Sequence, residues 1–246
     1  MRKVYLILGA SSDLGCGLLR SLLTEDSVEN VYIAHYFSDD SGIQAIQSEF
    51  PNARIMRCQA DLSDLKQTEA LINEIRNRDY SPNHIISFSA NAYRFNRLNE
   101  LDNYRLDKDM AIQVYSFSLV CKAFIPGMAE SHYGKIVAML SSATIGMPPK
   151  NTTEYTTVKY ALLGMIRGLA ADYGSEGLNI NGVSPGMIET KFIKGIGRKI
   201  KEFTGAGNPR HRNLMVDDVI PTIRLLLSDD SQFMNGVNIN LSGIPG

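Results

Sequence analysis

The feature that most constrains the fold is a regular alternation of short apolar runs with amphipathic helical segments. The apolar runs are continuous rather than alternating in polarity, which is typical of strands covered on both faces of a sheet. They are Val4–Leu8, Val31–Ala34, Arg54–Cys58, His84–Phe88, Lys135–Leu140, Asn179–Val183 and Val237–Leu241. Helical periodicity marks Leu14–Leu23, Ile43–Phe50, Asp64–Arg78, Asp107–Ser131, Thr157–Tyr173 and Val216–Leu227. This order predicts an α/β fold over residues 1–246: a single domain with a doubly wound parallel sheet of about seven strands flanked by helices.

One stretch, around residues 190–214, breaks this rhythm. It contains four glycines and a proline: Gly195, Gly197, Gly205, Gly207 and Pro209. A long loop of this kind is usually functional or disordered. Because it follows the sixth strand, it starts at the carboxyl edge of the sheet, where doubly wound folds bind ligands. We expect a substrate lid here.

Composition and charge exclude several classes of function. The 246 residues are 44% hydrophobic and 21% charged, with a formal net charge of −1, which predicts no nucleic-acid partner. Three widely spaced cysteines, Cys16, Cys58 and Cys121, predict neither a disulfide framework nor a metal site. The sequence shows no apolar run of the length that a membrane span needs. We therefore expect a cytoplasmic protein without a membrane partner.

A small-residue turn directly follows the first predicted strand and opens a helix. It reads Gly9, Ala10, Ser11, Ser12, Asp13, Leu14 and Gly15. Such a turn exposes backbone N–H groups at a helix N-terminus, which favours the pyrophosphate of a dinucleotide. Any tight strand-to-helix connection also favours Gly and Ser, so the turn alone is weak evidence. We expect Gly9, Ser11, Ser12, Asp13, Leu14 and Gly15 to contact the cofactor.

The strongest chemical signal is a Tyr and a Lys four residues apart, Tyr155 and Lys159, with Ser142 thirteen residues upstream at a strand end. On a helix, this spacing places the ammonium beside the phenol. A nearby positive charge lowers the pKa of a phenol, which makes Tyr155 a usable acid or base. The Ser hydroxyl would then hydrogen-bond the reacting oxygen. A second such pair, Tyr104 and Lys108, follows no strand and is interpreted as accidental.

Together these motifs resemble the short-chain dehydrogenase/reductase family, and among its members the 3-oxoacyl-carrier-protein reductases. Gly9 and Gly15 match the outer glycines of the family's TGxxxGxG turn, whereas Leu8 and Asp13 replace its Thr and middle Gly. The resemblance implies a Rossmann fold and hydride transfer with a nicotinamide cofactor. Asp tolerates a positive φ, so such a turn remains possible. Because a carboxylate that faces the pyrophosphate would be repelled, we expect Asp13 to turn away and cap the helix that begins at Leu14; the alternative is that it faces the pyrophosphate.

The resemblance extends over nearly the whole chain and implies further cofactor contacts. Asp61 and Leu62, after the third strand, are similar to the family's adenine-binding pair, although Asp61 as an N-cap is an equal alternative. The segment after the sixth strand is similar to the family's PGxIxT. The resemblance implies that Pro185, Gly186, Ile188 and Thr190 contact the cofactor, and that Tyr155 and Lys159 contact it too.

The chain departs from the family pattern in two places near the catalytic pair. The family's NNAG appears here as Phe88, Ser89, Ala90 and Asn91. We expect Ala90 and Asn91 to border the cofactor, with Asn91 able to adopt a positive φ. Gln113 stands where the family has a catalytic Asn that holds a relay water. We include Gln113 as a fourth catalytic residue, with a buried polar residue as the alternative.

The residues after the second strand bear on the choice of cofactor. An Asp there selects NAD and an Arg accepts the 2′-phosphate of NADP, and neither is present. His35, Tyr36, Ser38 and Ser12 are candidate donors. This favours NADP(H) over NAD(H).

Two functions from different classes follow from these residues. The first is an NAD(P)-dependent oxidoreductase acting on a ketone or secondary alcohol, with a small molecule or an acyl-carrier-linked 3-oxoacyl thioester as candidate substrates. The second is a catalytically impaired nucleotide-binding relative that serves as a binding or assembly subunit. The excess of apolar positions on helix Asp107–Ser131 and the family resemblance imply a homodimer or homotetramer.

Overall fold

The computed structural model describes residues 2–25 and 27–243, so residues 1, 26 and 244–246 of the predicted domain lie outside the described residues. Its centre is a sheet of seven parallel strands in the order β3-β2-β1-β4-β5-β6-β7. The strands are β1 Val4–Leu8, β2 Val31–Tyr36, β3 Arg54–Gln59, β4 His84–Ser87, β5 Gly134–Met139, β6 Leu178–Pro185 and β7 Asn238–Leu241. The prediction of a single doubly wound domain is confirmed.

Burial explains which strands are central. Every residue of β1 and β6 is buried, as expected for strands covered on both faces. Strand β3, at the edge, alternates between exposed and less exposed positions and carries Arg54 and Arg57. Polar side chains on an edge strand discourage pairing with another chain.

Helices cover both faces of the sheet. They are α1 Asp13–Glu25, α2 Ser41–Glu49, α3 Leu65–Asn77, α4 Asn103–Met110, α5 Ser116–Glu130, α6 Thr153–Tyr173, α7 Arg198–Gly207 and α8 Val216–Leu227. One hydrophobic cluster joins the sheet to α3, α5 and α6, and a second joins it to α1, α2 and α8. Each of these six helices therefore buries one stripe against the strands, as the periodicity predicts.

Two helices begin earlier than the sequence indicated. Helix α4 starts at Asn103 rather than near Asp107, because the side chain of Asp102 caps it by accepting from the backbone N–H of Tyr104. A π turn, Ala111–Tyr115, joins α4 to α5 in one helical rod. Helix α6 starts at Thr153 rather than Thr157, so that both Tyr155 and Lys159 lie on it.

The rod Asn103–Glu130 corrects the expectation that no segment has the length of a membrane span. By length and composition alone it could cross a membrane, with a mean hydropathy of 1.2 over its most apolar window. In the fold it packs against α3 and α6, and 44% of that window is buried. This is the position of a core helix.

The segment 190–214 is not a structureless loop. It contains a 3₁₀ turn, Lys191–Ile193, and helix α7. Its two ends are joined by backbone hydrogen bonds, since Leu214 N–H donates to Met187 at 2.9 Å and Glu189 N–H donates to Leu214 at 2.9 Å. Residues 190–214, which we call the excursion, thus leave the carboxyl edge of the sheet and return to it.

Candidate active site

All the residues that sequence analysis selected lie at or beyond the carboxyl ends of the strands, apart from those on the helical rod and α6, which pack against this edge. The turn after β1 shows why glycine is required. Gly9 has a φ of 74°, and a Cβ there would lie 3.0 Å from the backbone N of Ser89. A Cβ on Gly15 would lie 2.4 Å from the carbonyl oxygen of Gly9. Only glycine fits these positions, so the turn is tight enough for close approach to the main chain.

The first turn of α1 is capped by Ser12 and not by Asp13. The Ser12 hydroxyl accepts a hydrogen bond from the N–H of Gly15 at 3.0 Å, and Asp13 is already the first helical residue. Asp13 instead accepts from the N–H of Lys191 at 2.6 Å. The expectation that Asp13 caps the helix is therefore wrong, and its backbone has no positive φ. Its carboxylate ties the turn to the segment 190–214.

His35 is the clearest correction among the cofactor residues. It is 2% exposed, its Nδ1 accepts from the N–H of Gly9 at 3.0 Å, and its Nε2 lies 3.0 Å from the carbonyl oxygen of Ala60. Both ring nitrogens are occupied, so the side chain has no donor left for a 2′-phosphate. Burial lowers the pKa of His35 to about 4, which makes it a neutral strut between β2, the turn and β3.

The residues at the ends of β2 and β3 border the same edge. Tyr36 closes β2 and is partly exposed, and Leu62 is buried in the core. Asp61 does not cap the next helix: its Oδ1 accepts from the N–H and hydroxyl of Ser63, whereas Asp64 caps α3 by accepting from Lys66. The N-cap alternative for Asp61 is therefore wrong.

The segment after β4 passes directly over the glycine turn. Phe88 donates its N–H to the carbonyl oxygen of Leu8, and Ser89 touches Gly9. Ala90 follows at the surface of this edge. Asn91 does not use a positive φ, which among non-glycine residues 2–25 and 27–243 occurs at four other positions. Its amide donates instead to Asp109 Oδ1 at 2.6 Å.

Tyr155 hydrogen-bonds with Ser141, the residue next to Ser142, which we expect to bind the reacting oxygen. Ser141 caps the 3₁₀ turn Ser142–Thr144 that follows β5, with its Oγ accepting from Ala143 at 3.2 Å. The hydroxyl proton of Ser141 is then free to be donated to the phenol. Ser142, thirteen residues before Tyr155, opens that turn and is partly exposed, so its contact with the reacting oxygen stays a prediction.

Lys159 lies one helical turn after Tyr155, as the spacing predicts. It is 4% exposed, its Nζ is 5.7 Å from the centre of the Tyr155 ring, and it donates to the carbonyl oxygen of Met139 at 2.7 Å. Burial lowers the pKa of Lys159 to about 8, an effect that Asp109 opposes.

The expected lowering of the Tyr155 pKa is not found in this state. Burial raises the pKa of Tyr155 to about 12, and the hydrogen bond from Ser141 offsets this only in part. The physical reason is the aromatic cover: the ring of Tyr93 meets Tyr155 edge-on at 4.7 Å, and the ring of Phe192 lies 6.4 Å away. Desolvation of the phenolate therefore outweighs the nearby lysine.

The PGxIxT-like segment runs from the end of β6 into the excursion. Pro185 ends β6, and Gly186 lies against Ser242. Ile188 is buried and pairs with Leu214. Thr190 precedes the 3₁₀ turn. The next two residues hold that turn in place: the backbone N–H of Lys191 donates to Asp13, and the carbonyl oxygen of Phe192 accepts from the backbone N–H of Tyr93 at 3.1 Å. Tyr93 and Phe192 were missed because no motif marks them.

Gln113 lies in the π turn, on the same cleft as Tyr155, and is 3% exposed. Within residues 2–25 and 27–243, its Oε1 and the Oγ of Ser89 are buried without a hydrogen-bond partner. Buried polar atoms normally have partners. Orphaned atoms beside the catalytic cleft and the glycine turn fit a site built to receive a polar ligand.

These features fit a nicotinamide dinucleotide. The glycine turn at the N-terminus of α1 suits a pyrophosphate. Because β1, β4 and β5 are neighbours in the sheet, the segments that follow them, with Gly9, Ser89 and Ser141, lie along one edge. A phenol that can donate a proton, steadied by a serine hydroxyl, suits a carbonyl oxygen that gains a proton as its carbon gains hydride.

Comparison with known proteins agrees with this chemistry. The family model described as enoyl-(acyl carrier protein) reductase matches residues 25–243. The uncharacterised oxidoreductase YjdA of Bacillus subtilis (strain 168) is 27% identical over 248 residues, covering 98% of this chain and 96% of the relative. Levodione reductase of Leifsonia aquatica is 24% identical over 255 residues, covering 98% and 93%. The 3-oxoacyl-[acyl-carrier-protein] reductase FabG of Escherichia coli (strain K12) is 22% identical over 241 residues, covering 98% and 96%.

Solved structures show the same fold. The crystal structure of levodione reductase superimposes with a TM-score of 0.88 at 24% identity, covering 98% of this chain and 96% of the other. A gluconate 5-dehydrogenase from Burkholderia cenocepacia J2315, in complex with NADP and tartrate, gives 0.86 at 20% identity, covering 98% and 94%. Since the family match spans most of the chain, the protein belongs to the short-chain dehydrogenase/reductase family and is an NAD(P)-dependent enzyme acting on CH–OH and C=O groups.

Proposed function

We propose that Tyr155 is the general acid of carbonyl reduction, with Ser142 holding the reacting oxygen and Lys159 fixing the charge beside it. The observation that carries this is the position of Tyr155 on α6, one helical turn before Lys159, whose Nζ is 5.7 Å from the centre of the Tyr155 ring. When bound, a nicotinamide would supply hydride to the carbonyl carbon. Tyr155 supplies the proton to the oxygen, and in the reverse direction takes it back.

The proposed cofactor cradle consists of the turn from Gly9 to Gly15 together with Tyr36, Asp61, Ala90 and Thr190. The amide hydrogens of the first turn of α1 would hold the pyrophosphate. The carboxylate of Asp13 does not exclude this anion, because it accepts a hydrogen bond from the backbone N–H of Lys191. The segment 190–214, which Lys191 and Phe192 anchor over the site, is proposed as the substrate lid.

Within this cradle we propose a preference for NADP(H). No acidic residue follows β2 until Asp39, and the Asp39 carboxylate accepts from the N–H of Ser41 at 2.9 Å, which holds it at the start of α2. Replacement Tyr36→Asp puts an acid at the partly exposed end of β2 and should repel a 2′-phosphate. Calorimetric titration of the wild type should give a lower Kd for NADPH than for NADH, and the variant should reverse that order. A wild type that binds NADH more tightly contradicts the preference.

For the substrate, we propose a 3-oxoacyl thioester as the first class to assay, because acyl-carrier-protein reductases are among the relatives that match nearly the whole chain. Relatives named for a cyclic dione and for a diol supply the comparison substrates. The rate of NADPH oxidation with each class measures the preference directly. A clear preference for a non-thioester ketone contradicts the thioester.

The catalytic roles are tested by paired variants. Tyr155→Phe should lower kcat by about 10²–10⁴-fold while leaving cofactor binding unchanged, because only the proton donor is lost. Tyr104→Phe, at a tyrosine that is 77% exposed, is the matched control. Ser142→Ala should lower kcat by about 10²-fold or more, because the reacting oxygen loses a hydrogen-bond donor, and Ser141→Ala should lower it less. Wild-type turnover by Tyr155→Phe, or an equal loss in the two serine variants, contradicts the assignment.

A further inference from the structure

Three polar side chains form a closed ring of hydrogen bonds at the 3₁₀ turn Ser142–Thr144. Ser184, near the end of β6, donates its hydroxyl hydrogen to Asn238 Oδ1 of β7 at 2.6 Å. The Asn238 amide donates to Thr144 Oγ1 at 3.0 Å, and Thr144 Oγ1 lies 2.9 Å from Ser184 Oγ. The ring therefore joins β6 and β7 to the turn that follows β5.

The hydrogen bonds of this ring run in one direction. The single hydroxyl hydrogen of Ser184 is committed to Asn238, so Thr144 is the donor toward Ser184. The Thr144 hydroxyl also donates to the carbonyl oxygen of Ser141 at 2.8 Å, so that its hydrogen is shared between two acceptors. Because each member donates to the next, the bonds polarise and strengthen one another, which makes the ring a rigid unit.

Burial makes the polar atoms of this ring costly unless every one of them is paired. Thr144 and Ser184 are both buried. A neutral hydrogen bond adds little net stability, because the unfolded chain makes equivalent bonds to water. Valine in place of Thr144 and alanine in place of Ser184 would have no polar side-chain atom to satisfy. Stability alone therefore does not account for the ring, whereas a requirement for fixed geometry does.

The geometry that the ring fixes is that of the turn beside Tyr155. The carbonyl oxygen of Ser141 accepts both the backbone N–H of Thr144, at 2.9 Å, and the Thr144 hydroxyl, at 2.8 Å. Ser142 lies between these two residues, and Ser141 itself hydrogen-bonds with Tyr155. A movement of Thr144 would therefore shift both serines relative to the phenol.

We propose that Thr144, Ser184 and Asn238 are positioning residues that fix the turn after β5 relative to the cofactor segment at the end of β6. Ser184 directly precedes Pro185, so one ring holds the substrate side and the cofactor side of the site together. The three residues act through the turn and not on the reacting atoms. Their effect on turnover rests on the proposed function, because it is exerted through Ser142.

Turnover is tested with Thr144→Val and Ser184→Ala, which each remove one hydroxyl of the ring with little change of shape. Both should lower kcat by about 10- to 10²-fold, because a small displacement of a catalytic group is enough for such a loss. KM and the Kd of the cofactor should stay unchanged, and Thr144→Ser, which keeps the hydroxyl, should restore most of kcat. Steady-state rates with an acetoacetyl thioester, or with the fastest ketone of the substrate panel, measure this.

Amide hydrogen exchange in the protein alone reports on the ring without turnover. The backbone N–H of Thr144 donates to Ser141 and that of Ile145 donates to Ser142, each at 2.9 Å. The protection of these two amides should fall by about two- to tenfold in Thr144→Val and in Ser184→Ala, as expected when one or two hydrogen bonds that hold the turn are lost.

Two buried residues outside the site give matched controls. The Oγ1 of Thr68, on α3, is buried without a hydrogen-bond partner among the residues that the structure describes, so Thr68→Val tests the loss of a hydroxyl as such. Ser231 is buried and donates to the carbonyl oxygen of Ser228 at 2.9 Å, so Ser231→Ala tests a general loss of stability. Neither control should change kcat or the protection of the amides at 144 and 145.

Protection and kcat together separate this proposal from the proposed function. A loss of both in Thr144→Val and Ser184→Ala supports both. A loss of protection with an unchanged kcat supports the ring as the holder of the turn and contradicts the role of Ser142 in turnover. Unchanged protection in a folded ring variant overturns the proposal, and so does a loss of kcat no larger than that of Ser231→Ala. If neither ring variant folds, Asn238→Ala, at a partly exposed position, opens the ring and is judged by the same outcomes.

Discussion

At the scale of the residue, His35 shows how a buried side chain supports the cofactor turn without touching the cofactor. Its Nδ1 accepts from Gly9 and its Nε2 can then only donate to Ala60, which fixes one neutral tautomer. Protonation would turn the acceptor into a donor facing the N–H of Gly9. The conformation of the glycine turn therefore depends on an uncharged imidazole.

This dependence predicts a loss of stability in acid. The pKa of His35 is about 4 in the fold, below its ordinary value of 6.5, so in this window the unfolded chain binds a proton that the folded chain does not. The free energy of unfolding should fall by about 3 kcal/mol from this group as the pH drops from 6.5 to 4. Urea denaturation across that range measures it, and His35→Gln should flatten the slope.

A second buried histidine and an exposed one complete that experiment. Burial also lowers the pKa of His84, to about 3, so His35→Gln should reduce the acid dependence and not abolish it. His211→Gln, at an exposed position, should leave the slope unchanged. An unaltered slope in His35→Gln contradicts the neutral-strut interpretation.

The site could be predicted from sequence where its geometry is local. Tyr155 and Lys159 share a helix, so their spacing alone places them together. The hydrogen-bond partners of His35, Asp13 and Asn91 could not be predicted, because they lie 26, 178 and 18 residues away. A periodic pattern within one segment gives no information about a partner that is distant in the sequence.

At the scale of the element, two neighbouring residues at the start of α1 have different roles, whereas sequence analysis expected Asp13 to be the cap. Ser12 caps the helix, and Asp13 anchors the excursion through Lys191. The two functions predict different effects for two neighbouring substitutions. Each can be measured on the whole protein.

Ser12→Ala should lower the free energy of unfolding by about 1 kcal/mol, because it removes the acceptor for Gly15 N–H. Asp13→Ala should leave the cap intact but speed amide hydrogen exchange at Lys191, whose N–H loses its partner. Denaturation and exchange measured on both variants give a crossed comparison. Faster exchange at Lys191 in Ser12→Ala alone would reverse the assignment.

The elements with strong hydrophobic periodicity could be predicted from the sequence, whereas helix α7 in the excursion could not. The seven strands follow from continuous burial on both faces. Helix α7 was missed because glycines at 205 and 207 and before 198 lower helix propensity. Its apolar side chains also give no buried stripe: Phe203 is 81% exposed and Ile200 is 43% exposed.

At the scale of the whole molecule, two glycines on α6 bear on assembly. Gly164 and Gly168 are exposed, one turn apart, and a Cβ at either would meet nothing within 4 Å. Glycine in a helix interior costs roughly 0.5–1 kcal/mol relative to alanine. Tyr160, on the same helix, is 45% exposed. A stripe of small residues suits close approach of a second helix, in keeping with the predicted homodimer or homotetramer.

Light scattering should therefore give a mass of two or four times 27.2 kDa at micromolar concentration. The double variant Gly164→Arg, Gly168→Arg has room in the isolated chain and should dissociate the assembly without unfolding it. Glu69→Arg, on the exposed face of α3, is the control. A wild-type protein of 27.2 kDa rules out the assembly.

The joined ends of the segment from Met187 to Leu214 make it an exchangeable cassette. Because the two ends of this cassette hydrogen-bond to each other, its length and sequence can change without altering the register of the sheet. Lys191 and Phe192 hydrogen-bond to Asp13 and Tyr93 through backbone atoms, and these two contacts demand no particular side chain from the cassette. Recombination at residues 187 and 214 should thus transplant ligand preference between relatives as a unit, while the chemistry on α6 stays in place.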